Sequence, residues 1–250
     1  MGHFTRFDPN SYDLNKSSKK GVLIIHGFSS STYETLPLGK FLSEKGFRVF
    51  IPNLPGHGTT VEDCNSFIYN DWLDFLEQKL AEISIECDEI YVIGLSMGAV
   101  LSLHLATLFP VNKIITCATV LKFKNPFVIH FMIPILNRMV VKQKKIKNQK
   151  KKNIKKRYSG YDHYPLIALN EFRKLNNYMK KRLHLVRCPI LYVHSQSDKL
   201  SITDNVNLTL DNVSSKVKEK LIVENATHHL FYESKDRDLI FNTINNFLKK

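Results

Sequence analysis

The sequence predicts an α/β fold with a mostly parallel, doubly wound sheet, and three observations support this prediction. Apolar runs of strand length alternate with amphipathic segments of helix length, as in folds built from right-handed strand–helix–strand units. The chain has 250 residues and 43% hydrophobic composition, which is enough for one substantial core. The alternation is interrupted once, at about residues 121–187. We therefore expect a single domain, residues 1–250, that carries one insertion.

The first half of the chain alternates between strands and helices. Residues 1–20 are polar, and Phe4 and Phe7 mark at most a short edge strand. The apolar run Gly21–Ile25 is typical of a central strand that is covered on both faces. The next predicted elements are a helix at about 33–44 that the cluster Ser29–Thr32 can cap, a strand at 48–51, a helix at 70–83 and a strand from 90 onward.

The second half completes the sheet around the insertion. Lys113–Thr116 is a short strand, and residues 121–187 then contain an apolar run, a lysine-rich block and a helical segment but no convincing strand. We expect this insertion to be all helical. The predicted elements after it are a strand at 190–194, a helix after Thr203, a strand at 220–223 and a helix at about 236–248 with Leu239, Ile240, Ile244 and Phe247 toward the core.

The most informative stretch is Ile90–Gly98, which reads as a buried strand that runs into a Gly-x-Ser-x-Gly turn. A serine at the tip of such a strained strand-to-helix turn needs neighbours without bulk, which explains the flanking glycines. The helix that follows directs free N–H groups and a partial positive charge toward the serine. The pattern predicts that Ser96 is a nucleophile.

Two further side chains follow later strands in the order that acyl chemistry requires. Asp198 comes just after the strand at 190–194, and His228 follows the strand at 220–223. The order serine, aspartate, histidine is that of the α/β-hydrolase triad. Because the carboxyl ends of parallel strands share one edge of the sheet, Ser96, Asp198 and His228 are expected to converge there.

Other reactive side chains have simpler interpretations. His57 lies in a turn-rich loop, and a structural hydrogen bond is favoured over a catalytic role because no nearby acid would orient the ring. The four cysteines lack metal-type spacing, which is typical of reduced, mostly buried thiols: Cys64, Cys87, Cys117 and Cys188. Gly27 directly follows a central strand and lets the backbone turn, so the N–H of Phe28 is a candidate oxyanion donor.

Several motifs together resemble one family. They are His-Gly-Phe at 26–28, Pro-Gly-His-Gly at 55–58, Gly-Leu-Ser-Met-Gly at 94–98, the loop of Asp198 and the segment Asn225–His228. In combination they resemble the small bacterial carboxylesterases related to monoacylglycerol lipases, within the α/β-hydrolase superfamily. The resemblance covers nearly the whole sheet scaffold and is weak in the insertion.

The resemblance implies a complete set of catalytic groups. Ser96, Asp198 and His228 would form the triad, and the backbone N–H groups of Phe28 and Met97 would bind the oxyanion. No metal and no organic cofactor are expected. The chain departs from the family pattern at Ala99, where a further glycine is usual, and at His229, a second histidine where an apolar residue is usual. His228 is preferred as the base because the Asn-x-x-His approach matches the family.

These observations predict a serine hydrolase that acts on short- to medium-chain acyl esters or monoglycerides, through an acyl-enzyme. His228 must be unprotonated, so activity should rise with pH through an apparent pKa of about 6 to 7. The insertion at about 121–187 is expected to form a lid that excludes water and supplies the acyl pocket. A thioesterase or acyltransferase would use the same triad, and a non-catalytic lipid- or ligand-binding protein on this scaffold is a second class of function.

The net charge of +13 is mostly local, because Lys142–Arg157 contains ten basic residues and no acid. A solvated face of the insertion is the favoured interpretation. The alternative is that this block and the apolar run Phe127–Val141 contact an anionic membrane surface. Nucleic-acid binding is not expected, because no recognised nucleic-acid-binding module accompanies the charge. The polar first 20 residues lack a secretory signal, so a cytoplasmic location is expected. The oligomeric state is not predicted.

Overall fold

A computed structural model describes residues 8–145, 160–232 and 234–250. The strands in this part of the chain are β1 Tyr12–Leu14, β2 Lys20–Ile25, β3 Arg48–Ile51, β4 Glu89–Leu95, β5 Lys113–Cys117, β6 Lys142–Lys144, β7 His163–Pro165, β8 Ile190–Ser195 and β9 Lys218–Val223. Seven of them form one sheet in the order β1-β3-β2-β4-β5-β8-β9. Every pair in this sheet is parallel except β1 with β3. The predicted α/β-hydrolase fold with a mostly parallel sheet is confirmed.

The helices alternate with these strands and cover both faces of the sheet. They are α1 Leu36–Glu44, α2 Val61–Cys64, α3 Tyr69–Glu86, α4 Met97–Leu108, α5 Ile133–Leu136, α6 Leu166–Lys180, α7 Asp204–Leu210 and α8 Arg237–Lys249. Short 3₁₀ turns occur at Thr32–Glu34 and Leu183–Leu185, and a π-helical turn occurs at Val128–Met132. None of these helices combines the length and the apolar composition that a bilayer crossing requires.

Strand β2 shows why the central strands read as continuous apolar runs. Its side chains alternate between the two faces of the sheet, so Leu23 and Ile25 enter one core and Val22 and Ile24 enter the other. The first core contains Trp72 of α3 and much of α4, and the second contains residues of α1 and α8. Because both faces are buried, no position of the strand can be polar without a partner.

The strand register aligns the carboxyl ends of the sheet. The last paired residues are Ile25 with Gly94, Leu95 with Cys117, Cys117 with Val193, and Ser195 with Val223. The loops that leave β2, β4, β8 and β9 therefore begin at one edge. The residues predicted to be functional lie in these loops, apart from Met97, which is the first residue of α4.

The insertion departs from its prediction. Strands β6 and β7 pair antiparallel within residues 121–187, so the expectation of an all-helical segment without strands is wrong. Each strand has three residues and is mostly polar, and backbone pairing of this kind leaves no hydrophobic period in the sequence. The predicted helix near 165–181 is present as α6. Residues 146–157 of the basic block lie outside the described residues, as do Phe4 and Phe7.

Two smaller expectations are also wrong. Leu239 is 54% exposed, because the buried side of α8 is set by Ile240, Ile244 and Phe247, which recur at helical spacing. The cluster at 29–32 provides no helix cap: a 3₁₀ turn precedes α1, and neither element has a side-chain cap bond. Instead the N–H of Asp8 donates to Ser31 Oγ over 3.2 Å, and this ties the loop to the N-terminal segment.

Candidate active site

Ser96 lies between β4 and α4 in a backbone conformation that few residues other than glycine adopt. Its φ is 59° and its ψ is −114°, a strained combination that costs of order 1–3 kcal/mol. The flanking glycines are required by close contacts. A Cβ on Gly94 would lie 2.2 Å from the carbonyl oxygen of Gly98, and a Cβ on Gly98 would lie 2.3 Å from that of Ile25. The sharp turn therefore depends on both glycines, as the motif predicts.

Neighbouring strands hold this turn in place. The N–H of Ser96 donates to the carbonyl of Cys117 at the end of β5 over 2.8 Å, so it is not available to a ligand. Ser96 is 7% exposed and precedes the first residue of α4, whose dipole places partial positive charge there. An anion that formed beside Ser96 would be stabilised by this helix end.

Asp198 and His228 form a direct pair. Asp198 Oδ2 is 2.7 Å from His228 Nδ1, and Asp198 Oδ1 accepts the backbone N–H groups of Leu200 and Ser201 over 2.7 and 3.0 Å. Burial raises the pKa of a carboxyl, but the His228 ring and these two N–H groups outweigh it and hold the pKa of Asp198 below its ordinary value. The carboxylate is therefore ionised and fixed in orientation.

The same pairing sets the proton affinity of His228. Burial lowers the pKa of an imidazole, but the hydrogen bond to Asp198 and the charges of Asp198 and Glu34 outweigh it, so the pKa of His228 is raised. With Nδ1 turned to Asp198, the Nε2 atom is the one left to exchange a proton. This is the orientation that a general base in a triad needs.

Ser96 and His228 are not hydrogen-bonded in the described part of the chain. Ser96 is nevertheless close to the surroundings of His228: a Cβ on Gly27 would lie 3.3 Å from Ser96 Cβ and 3.1 Å from a carboxylate oxygen of Glu34. The charge of Glu34 in turn acts on His228. Catalytic hydrogen bonds are often long in unliganded enzymes and tighten when substrate binds.

The two expected oxyanion donors are free. Within the described residues, the backbone N–H groups of Phe28 and Met97 donate no hydrogen bond. They follow neighbouring strands, β2 and β4, and therefore start from the same edge. The loop of Phe28 is turned back by Ser29, whose φ is 56°, and by the N–H of Ser30, which donates to the Gly27 carbonyl over 3.3 Å. Two unpaired N–H groups near a serine are what an oxyanion site provides.

His57 and the cysteines have the structural surroundings that were expected. His57 is buried against Trp72 and Phe28, its Nδ1–H donates to the Pro55 carbonyl over 3.0 Å, and burial lowers its pKa to about 3. The four cysteines are unpaired, and burial raises the pKa of Cys64 to about 12. The described residues contain no group of three or more side chains that could hold a metal ion.

Sequence reasoning missed Glu34. This carboxylate is buried in the 3₁₀ turn at Thr32–Glu34, where Oε2 accepts the N–H of Gly27 over 3.1 Å and Oε1 lies 3.2 Å from His229 Nδ1. No sequence motif includes Glu34, and no hydrophobic periodicity links it to Gly27. The only signal was the unexplained second histidine at 229.

Comparisons with known proteins identify a matching family and several relatives. The sequence matches the Hydrolase_4 family, described as serine aminopeptidase, S33, over residues 16–235. The chain belongs to this family. One relative is a thermostable monoacylglycerol lipase of Bacillus sp. (strain H-257), which is 28% identical over 83% of this chain and 82% of the relative. A carboxylesterase of Bacillus subtilis (strain 168) is 24% identical over 94% of each chain.

Solved structures of lipolytic proteins share the fold of this Hydrolase_4 chain. One from a study of the metagenome-derived lipolytic enzymes LipS and LipT has a TM-score of 0.85 at 24% identity, over 96% of this chain and 97% of the other. A soluble variant of the monoglyceride lipase of Saccharomyces cerevisiae has a TM-score of 0.77 at 16% identity, over 95% and 89%. At these identities the likeness shows the fold. Together the family and the relatives confirm the predicted class, an α/β hydrolase of the lipase and esterase type.

Proposed function

We propose that this protein hydrolyses carboxylic esters of short- to medium-chain acids, including monoglycerides, through an acyl-enzyme on Ser96. The observation that carries the proposal is the Asp198–His228 pair, at 2.7 Å, at the edge of the sheet where Ser96 follows β4. A structural histidine–carboxylate pair has no need of a strained serine nearby or of unpaired N–H groups beside it. The combination is that of a serine hydrolase.

Each group has a defined task in this mechanism. Neutral His228 takes the proton of Ser96 through Nε2 as the serine oxygen attacks the ester carbonyl, and Asp198 holds the ring in the useful tautomer. The N–H groups of Phe28 and Met97 then receive the negative charge of the tetrahedral intermediate, and each such donor contributes about 3 kcal/mol. Protonated His228 gives its proton to the leaving alcohol. Water repeats the cycle on the acyl-enzyme.

Aromatic contacts support an apolar acyl group. The ring of Phe28 stacks on that of Phe172 of α6 with centroids 5.6 Å apart, and the ring of Phe123 contacts that of Phe172 with centroids 5.3 Å apart. The insertion thus places apolar side chains next to a candidate oxyanion donor. We propose that the insertion acts as the lid that supplies the acyl pocket, and this agrees with the names of the two bacterial relatives.

A fluorophosphonate probe, which reacts with activated serines, tests the nucleophile directly. We expect the wild-type protein to be labelled and to hydrolyse p-nitrophenyl butyrate and a monoacylglycerol, and Ser96→Ala to lose both properties. Ser84→Ala is a matched control, because Ser84 bonds only the Leu80 carbonyl within α3. Labelling that survives Ser96→Ala would reject Ser96. A labelled protein that cleaves thioesters but not oxygen esters would reject the ester class and favour a thioesterase.

A further inference from the structure

Two carboxylate–imidazole pairs lie side by side at the edge of the sheet. Asp198 pairs with His228 at 2.7 Å, and Glu34 pairs with His229 at 3.2 Å. The two rings are 6.2 Å apart between centroids and are inclined by 74°. The mechanism above uses only the first pair, so the adjacent histidines and the second carboxylate need a separate explanation.

Glu34 is buried and remains charged. It is 3% exposed, and a carboxylate at such a position is unstable unless it is partnered. Its partners are His229 and the N–H of Gly27, and with the nearby charge of His228 they outweigh the effect of burial and lower the pKa of Glu34. His229 is in turn packed on the ring of Tyr232 at 5.2 Å.

The contact with Gly27 reaches the loop after β2, which carries Phe28, the candidate oxyanion donor. Glu34 accepts the N–H of Gly27, while the Gly27 carbonyl accepts from the N–H of Ser30 over 3.3 Å and lies 2.9 Å from His26 Nδ1. Hydrogen bonds therefore hold both the N–H and the carbonyl group of Gly27. The next N–H along the chain is that of Phe28. An oxyanion donor must lie within about 0.5 Å of its productive position. The hydrogen bonds that fix Gly27 therefore affect the position of the Phe28 N–H.

The charge of Glu34 also acts on His228. The other ionisable groups around His228 are Asp198, the ring of His229 and His194 of β8, and those around Glu34 include His26 and Lys145. Asp198 and Glu34 are the two negative charges in this set. When His228 takes the proton of Ser96 it becomes a cation, and both carboxylates favour that state.

We propose, on the basis of the esterase function above, that Glu34 is a positioning residue of this site and that His229 keeps it in place. Glu34 fixes Gly27, and thereby the N–H of Phe28, and it adds a second negative charge that stabilises protonated His228. His229 acts through Glu34 and has no contact with the reacting atoms.

The test measures kcat, KM and the pH profile of p-nitrophenyl butyrate hydrolysis for Glu34→Gln and His229→Gln. Glu34→Gln keeps an acceptor for Gly27 but removes the charge, so the acid limb should move to lower pH by roughly half a unit or more. Its kcat should fall about tenfold at unchanged KM, less than the ~10²-fold or greater loss on removal of an oxyanion donor itself. His229→Gln should lower kcat several-fold. Glu77→Gln is the matched control, because it likewise removes the charge of a carboxylate that pairs with a buried histidine, here His104 at 2.7 Å between α3 and α4.

The outcomes separate this inference from the proposed function. If folded Glu34→Gln has the kcat and acid limb of the wild type, the inference is overturned while the esterase function stands. If Glu34→Gln does not fold, His229→Gln decides: a several-fold loss of kcat at unchanged KM supports the inference, and wild-type kcat overturns it. If the fluorophosphonate fails to label Ser96 in the wild type, both proposals are overturned.

Discussion

The edge of the sheet and the insertion at 121–187 are held in place by different means. At the edge, Ser96, His228 and the side chain of Asp198 are buried, and the strand register places the loops that carry them. The insertion instead leaves large apolar side chains in solvent, among them Phe127, Phe131, Ile135 and Met139. The difference fits the proposal that the sheet edge carries the chemistry and that the insertion selects the ester.

A few hydrogen bonds join the insertion to the loops that follow β2 and β3. The N–H of Tyr161 donates to the Ser29 carbonyl over 3.1 Å, and Lys145 Nζ donates to Ser29 Oγ over 2.9 Å. Tyr161 also donates its hydroxyl to the Gly56 carbonyl over 2.6 Å. Changes at the edge should therefore alter the rate with every substrate, whereas changes in the exposed part of the insertion should alter it with some substrates.

The largest expected effect compares the two adjacent histidines. His228→Ala removes the proposed base, which pairs with Asp198, and should lower kcat by about 10⁴-fold or more, as triad substitutions do. His229→Ala should cost about tenfold at most, because His229 only supports Glu34. The measurement is steady-state hydrolysis of p-nitrophenyl butyrate by the two variants, with folding checked by circular dichroism. Equal losses, or a larger loss for His229→Ala, would contradict the assignment of the base.

The pH dependence of activity is the second effect. Because the pKa of His228 is raised, the acid limb should lie above the unperturbed value of about 6.5, and the rate should fall about tenfold for each pH unit below it. This refines the value of about 6 to 7 expected from the sequence. A rate that increases as the pH falls below 6 would contradict a neutral imidazole base. The pH profiles of kcat/KM for an acetate ester and a butyrate ester should have the same pKa in the acid limb, because this pKa is that of the free enzyme.

The pKa shifts of Asp198 and His228 also determine whether the free energy of unfolding rises or falls with pH. The lowered pKa of Asp198 stabilises the fold above its unfolded value of about 3.9, and that contribution is lost as the pH falls through the folded value. The raised pKa of His228 stabilises the fold below about 6.5, and this contribution is lost as the pH rises through the folded value. The pair therefore contributes most between these two limits.

The glycines of the turn and the apolar run of β2 could be predicted from the sequence, because their signals are physical requirements. Gly94 and Gly98 cannot carry a Cβ where they stand, and β2 must be apolar at successive positions because both of its faces are buried. Strands β6 and β7 could not be predicted, since three-residue strands joined by backbone bonds need no particular side chains. Glu34 was missed for a related reason. Glu34 and His229 are 195 positions apart in the sequence, and only the folded chain brings the carboxylate to the imidazole.

The smallest expected effect concerns the exposed part of the insertion. Phe127 and Phe131 stack at 5.5 Å and are 66% and 61% exposed, so they form an exposed apolar surface on the insertion. The double substitution Phe127→Ser with Phe131→Ser should lower kcat/KM several-fold for a monoacylglycerol presented in aggregates and leave that for p-nitrophenyl acetate unchanged. Stability should change by about 0.5 kcal/mol or less, because neither ring is in the core. Ile85→Ser is the control, since Ile85 is 86% exposed on α3. An equal loss with the acetate ester would show that the insertion supports the chemistry itself, and the division between the two regions would then fail.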